Sequence, residues 1–365
     1  MDFTLAPALE VLRAEAEAFA RGVTVGRDVR EDSWIVGYDR EVSAELGRRG
    51  WLGMTWPRRY GGHERTPLER FVVTEALIAH GAPIAASWFT DRQMGPSLLA
   101  YGTEEQKQRF LPAMVRGEAN WCIGMSEPDQ GSDLAHLRTR AVRDGNEFVV
   151  EGTKVWTSFA ATAEWMYLIC RTDPDAPAHR GLSELVVDMR SPGIDVAPIE
   201  DMTGNRHFCQ VTLHGVRVPA ANLVGTENGS WGQTMRQLEH ERGGIDRWAS
   251  NRALFLDAVA RADHDDQLVR QEIAALEGDY RIGRLLVLRE VLGQAPGGFS
   301  AATKTFGTEY EQRVAAFASR TLGAEATLWN RWSRALCYAP AYTIMGGTSN
   351  ILRTILAERV LSLPR

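Results

Sequence analysis

Apolar residues along the chain change their period twice. Over residues 8–20, Leu9, Leu12, Ala16 and Phe19 recur at three-and-four spacing, the stripe of an amphipathic helix. Over 68–80 the positions Phe71, Val72, Glu75 and Ile78 repeat it. Trp56-Pro57-Arg58-Arg59-Tyr60-Gly61-Gly62 reads as a loop, and Thr103 followed by Glu104, Glu105 and Gln106 reads as a capped helix start with acids in its first turn. From about residue 120 the period shortens. Short apolar runs at 148–150, 154–156, 165–170, 185–187 and 211–218, each bounded by Gly, Pro, Asp or Asn, predict strands. After Trp231 the helical pattern returns over 233–260, 267–292, 301–322 and 350–360, interrupted most clearly at Gln294-Ala295-Pro296-Gly297-Gly298. The prediction is an α+β chain with segregated elements: a helical domain over 1–119, a β-domain over 120–231 and a second helical domain over 232–365.

Composition removes several alternatives. The chain has 365 residues, with 41 Lys plus Arg against 47 Asp plus Glu, a net charge of −6 and 44% hydrophobic residues, ordinary values for a globular enzyme. No run approaches the roughly 18 uncharged apolar residues of a membrane span. The start lacks a basic flank and an apolar leader, so a cytoplasmic location is expected. Cys122, Cys170, Cys209 and Cys337 lie at least 39 residues apart, and the eight histidines form no H-x-x-x-H pair. That predicts reduced, mostly buried thiols and no metal site. An acidic chain without a Lys/Arg stripe has little with which to neutralise phosphates, so nucleic acid is not an expected partner.

Two segments carry candidate chemistry. Ile123-Gly124-Met125-Ser126-Glu127-Pro128-Asp129-Gln130-Gly131-Ser132-Asp133 sets hydroxyls and a glycine at the edge of the first β-segment, either as an ordinary turn or as a cradle for a polar cofactor. Ile344-Met345-Gly346-Gly347-Thr348-Ser349-Asn350 puts two glycines and two hydroxyls directly before a helix, either as a capped turn or as a seat for an anion. No G-x-G-x-x-G follows a strand and no P-loop is present.

The order of these segments gives them meaning. Met125-Ser126-Glu127-Pro128 with Gly131-Ser132-Asp133, Gly152-Thr153-Lys154-Val155-Trp156-Thr157-Ser158, residues 204–219, and Gly347-Thr348-Ser349 with Ala357-Glu358-Arg359-Val360-Leu361 resemble, in order and spacing, the acyl-CoA dehydrogenase family. The resemblance implies a helical N-terminal domain, a β-barrel-like middle domain and a C-terminal four-helix bundle, assembled as a tetramer that binds FAD between subunits. It implies that Met125, Ser126 and Ser158 meet the flavin, that Trp156 flanks its ring, and that Ser132, Thr348 and Asn350 hold its diphosphate. Ring packing on an indole excludes water, and hydroxyl donors stabilise the charge that arrives with a hydride.

The family's reaction takes an α-proton from an acyl thioester with a carboxylate while a hydride leaves the β-carbon. Many members place that carboxylate just before the Gly-Thr of the C-terminal loop, where this chain has Gly346, and no Asp or Glu stands from Pro340 through Ala357. Other members, of isovaleryl and long-chain type, place a Glu before an Arg on the first C-terminal helix. Glu241-Arg242 matches, which makes Glu241 the expected base and Arg242 a substrate-binding residue, with the Gly346 N–H facing the thioester oxygen. The paired glycines Gly243-Gly244 leave room for a wide acyl group or mark a helix break.

One family feature is missing. The Arg-x-x-Phe-Gly segment that reaches a neighbouring subunit's FAD has no counterpart in His264-Asp265-Asp266-Gln267-Leu268-Val269-Arg270 or Gly278-Asp279-Tyr280-Arg281. Ala302-Thr303-Lys304-Thr305-Phe306-Gly307-Thr308-Glu309 is similar to the steroid side-chain dehydrogenases that work as heterotetramers. Expected partners are therefore an acyl-CoA or acyl-carrier thioester from fatty acid or steroid side-chain metabolism, an electron-transfer flavoprotein, and either copies of this chain or a homologous subunit. The rival readings are a catalytically silent partner subunit and a flavin oxidase or monooxygenase on the same fold.

Overall fold

A computed structural model describes residues 4–364, the side chains of His240 and Glu241 excepted. The chain divides into two compact units. One comprises Ser43–His63 and Ala86–Leu238, the other the residues up to Val42, Glu64–Ala85 and those from Glu239 on.

The first unit is built on an eight-stranded sheet. Its strands are β1 Trp121–Gly124, β2 Arg140–Asp144, β3 Glu147–Lys154, β4 Trp165–Arg171, β5 Leu182–Asp188, β6 Ile194–Ile199, β7 Phe208–Pro219 and β8 Leu223–Val224. They run in the order β6-β7-β3-β2-β4-β5-β8, and β1 pairs parallel with β4. Alternation along β7 places Cys209, Val211 and Leu213 in the core, then Val216 and Val218. The step from 213 to 216 is three residues because the ladder is bulged: Leu213 faces Gly152 while Val216 faces Val150, and Gly215 supplies the positive φ (62°). The inward side of β3 carries Phe148 and Val150 and then, at the same phase, Lys154.

Glu184 on β5 anchors the start of the Trp231–Arg242 helix. Its carboxylate accepts from Tyr167 Oη (2.7 Å), Gln233 Nε2 (2.8 Å) and Thr234 Oγ1 (2.7 Å). Burial raises this carboxyl above its ordinary range, and the three donors only partly oppose that. The Glu104–Val115 helix opens as expected, with a capping box between Thr103 and Gln106.

The second unit is helical. The Pro7–Thr24 and Pro67–Ala79 helices pack together, the latter started by a Thr66–Glu69 capping box. The Arg252–Arg261, Gln267–Val291 and Arg331–Tyr342 helices gather round Ser300–Leu322. Trp248, fully buried, lies against Phe306 and Tyr310 with ring centroids 5.0 and 5.1 Å away. Gly283 lets the Gln267–Val291 helix reach that indole, since a Cβ there would meet it at 2.3 Å. The single helix expected over 233–260 is three: Trp231–Arg242, Asp246–Ala249 and Arg252–Arg261. Gly244, at φ 129°, makes the break. Beside Gly243 lies the Glu290 carboxylate, 2.5 Å from where a Cβ would stand.

Among the described residues no helix is long and apolar enough to cross a membrane. Cys122, Cys170 and Cys209 are buried free thiols and Cys337 is half-buried. Burial pushes the Cys170 thiol up to about 12.

Candidate active site

Within the sheet unit, two of the singled-out segments meet. The Val155 N–H donates to Ser126 O at 2.9 Å, which lays the end of β3 beside the turn after β1. Lys154 Nζ, wholly buried, donates to Met125 O at 3.0 Å and to Glu127 Oε1 at 2.9 Å. The Glu127 carboxylate also accepts from the Arg138 and Thr139 N–H groups at 2.6 and 2.8 Å. Burial alone would raise this carboxyl, but the Lys154 ammonium and those donors outweigh it and hold the group below its ordinary value. The strand expected through 156 stops at Lys154, and Trp156 takes a left-handed φ of 59°. That turn throws the indole outward: it is 57% exposed, edge-on to Phe208 at 5.7 Å.

Ser126, Met125 and Ser158 are half-buried around this corner, whereas Ser132 is exposed on the turn that follows. The Thr157 N–H donates to Cys209 O and the Cys209 N–H returns a bond to Thr157 O, which ties the Trp156 turn to β7. An exposed indole beside half-buried hydroxyls and an immobilised backbone suits a flat aromatic cofactor with a polar edge, so these residues fit a flavin.

In the helical unit the Gly346–Gly347 loop follows the Arg331–Tyr342 helix. Gly346 and Gly347 have φ of 67° and 101°, conformations that only glycine adopts without strain. Arg242 Nε donates to Gly346 O at 3.0 Å and Lys304 Nζ donates to Gly347 O at 2.8 Å. Thr348 is the N-cap of the Ser349–Ile355 helix, its hydroxyl accepting from the Ile351 N–H at 3.3 Å. Asn350 is exposed in the first turn. The side chain of Glu241 lies outside the described residues. Arg242 and Gly346 are thus brought into direct contact, with Thr348 and Asn350 next along the chain.

Three residues that the sequence reading left without a role stand at these places: Glu127, Lys154 and Lys304. Each sat inside or beside a singled-out motif. The available signal was a Lys at the inward phase of a strand and an acid in a turn otherwise rich in Ser, Asp and Gly.

The chain belongs to the acyl-CoA dehydrogenase family. The family's N-terminal domain matches residues 7–118, its middle domain 122–216 and its C-terminal domain 228–361. Its members are flavoprotein oxidoreductases of acyl-CoA, usually with FAD. Among individual relatives, acyl-CoA dehydrogenase FadE26 of Mycobacterium tuberculosis is 33% identical, the match covering 100% of this chain and 99% of that protein. Acyl-CoA dehydrogenase FadE29 of the same organism is 37% identical, covering 89% of each. Of solved structures, the Tcur3481-Tcur3483 steroid ACAD superposes with a TM-score of 0.89 at 35% identity over 100% of both chains. The ChsE4-ChsE5 complex from Mycobacterium tuberculosis gives 0.89 at 32%, again over 100% of both.

Proposed function

We propose that this chain dehydrogenates the α,β-carbon pair of an acyl-CoA thioester, with Glu241 as the base that takes the α-proton. The observation that carries the reading is a full-length family match together with the acid-free stretch from Pro340 through Ala357. With Gly346 at one of the two base positions the family uses, Glu241 beside Arg242 occupies the other. FAD, when bound, would supply the acceptor for the hydride of the β-carbon. The chain's own residues do the remainder. Met125, Ser126 and Ser158 would hold the flavin's polar edge, Trp156 would cover the ring against water, and Ser132, like Thr348 and Asn350, would offer donors to a diphosphate. The Gly346 N–H donates to the thioester oxygen, where charge gathers as the α-proton departs, and Arg242 binds on the substrate side of the same loop.

The steroid ACAD and the ChsE4-ChsE5 complex support two finer points. The acyl group is of steroid side-chain type, and the chain pairs with a homologous subunit that supplies the missing Arg to the FAD. An electron-transfer flavoprotein takes the electrons onward. The test is anaerobic: FAD-loaded protein mixed with straight, branched and steroidal acyl-CoAs should lose its flavin absorbance with the matching substrate. Glu241→Gln should keep it. Bleaching of Glu241→Gln at the wild-type rate would refute the base, and full flavin occupancy in the chain purified alone would refute the partner.

A further inference from the structure

The Gly346–Gly347 loop is held by its carbonyls. Two cations from two different helices take successive oxygens: Arg242, the last residue of Trp231–Arg242, at Gly346, and Lys304, within Ser300–Leu322, at Gly347. The Arg242 guanidinium lies so close that a Cβ on Gly347 would stand 3.2 Å from Nη2. Lys304 is 0% exposed, so the whole desolvation penalty of its amino group is borne inside the bundle. An apolar side chain of the same length would fill that volume without the penalty. The buried Glu311 carboxyl lies in the field of this ammonium, and the hydrogen bond to Gly347 O ties the same charge to the loop.

Glycines have the freest backbone of any residue, and two in succession leave the direction of neighbouring N–H groups unfixed. Anchoring both carbonyls fixes the two peptide planes that follow, because each residue has only two soft dihedrals. Those planes carry the Gly347 and Thr348 N–H groups; the Gly346 N–H lies in the plane just before them, so with the Gly346 carbonyl held its direction changes only through that residue's own φ and ψ. We infer that Lys304, together with Arg242, is a positioning residue that holds the Gly346–Gly347 loop in the one conformation in which its Gly346 N–H meets the negative thioester oxygen of the transition state. The inference rests on the proposed reaction and deepens it, adding a residue to which the motifs assign no role.

The test uses the flavin-loaded holoenzyme, with its partner subunit if one is needed, and reads ligand selectivity as well as turnover. The probes are a saturated acyl-CoA and a 3-oxoacyl-CoA, whose enolate carries the negative oxygen without any hydride transfer. In Lys304→Met the 3-oxoacyl-CoA should bind at least tenfold more weakly, while the saturated acyl-CoA moves less than twofold. The kcat should fall about tenfold or more at unchanged KM, since removal of a preorganised donor lowers kcat by about 10²–10³ and misalignment by less. Lys304→Gln, which keeps an N–H donor, should recover part of both losses. Equal weakening of the two ligands, or none in either, would overturn the inference. If Lys304→Met fails to fold, Lys304→Gln is read with the same pair, and loss confined to the 3-oxoacyl ligand is still required. Failure of the base assignment is seen separately, as flavin reduction by Glu241→Gln.

Discussion

The Glu127–Lys154 pair yields a prediction whose sign depends on which partner is removed. In Glu127→Gln the Lys154 ammonium stays where it is, with no surface exposed to water, and keeps the Met125 carbonyl as a neutral acceptor. A buried charge stripped of its counter-ion destabilises by about 3–5 kcal/mol. In Lys154→Met the carboxylate left behind still accepts from the Arg138 and Thr139 N–H groups, so its charge remains partly solvated by the backbone. That loss should be smaller, on the order of 1–3 kcal/mol. The double variant should be less damaged than the sum, because the second substitution removes the charge the first one stranded. At roughly 2–4 °C of melting temperature per kcal/mol for a domain of this size, Glu127→Gln should melt about 10 °C below wild type and Lys154→Met roughly half as far. Thermal unfolding followed by intrinsic fluorescence in the four proteins of the cycle measures both the asymmetry and the coupling. Equal shifts for the two single variants, or simple additivity in the double, would refute the assignment of Glu127 as the counter-ion and Lys154 as the dependent partner.

Other expectations follow from groups described above or from the bundle core. Glu311 is wholly buried, hydrogen-bonded by Ser250 Oγ at 2.6 Å, and desolvation pushes its carboxyl well above the ordinary range despite Arg247 nearby. A folded-state value above the unfolded one gives a contribution fully present below the unfolded value and lost as pH rises toward the folded one. The melting temperature of wild type relative to Glu311→Gln should therefore decline from pH 4 to pH 8, and a flat difference would contradict the burial argument. Gly283→Ala drives a methyl into the Trp248 ring and should destabilise by about 1–3 kcal/mol or more, visible as a lower melting temperature with no change in flavin content. Glu241→Gln should retain fold and flavin while losing substrate-driven bleaching.

Much of the fold was legible because most elements announce themselves by one clear period. The Gln267–Val291 and Ser300–Leu322 helices fall within a residue of expectation, and Trp165–Arg171 likewise. What escaped had little pattern to show. β2 buries only Ala141 of its five residues, and β6 buries none fully and contains Pro198, as sheet-edge strands do. The Arg331–Tyr342 helix goes unpredicted because Pro340 interrupts its sequence signal, although Asn330 caps its start. The composition of each compact unit was also invisible, since Ser43–His63 joins strands that come far later in the chain. At the candidate site, motif order singled out Ser126 and Trp156 as expected site residues, and the structure joins their segments through a backbone hydrogen bond. Lys154 showed only as a charge at the inward phase of its strand, and Lys304 escaped because a buried amine on a backbone carbonyl leaves no periodic trace.

The bulge in β7 has a consequence for how this sheet tolerates changes of length. Two residues, His214 and Gly215, stand opposite Glu151 alone, so the ladder holds one unit of slack there. Deleting one of them would leave Val211 and Val216 on the same side and merely straighten the ribbon, whereas a single insertion anywhere between Phe208 and Leu213 would turn the rest of the strand inside out. Indels in β7 should accordingly collect at one point.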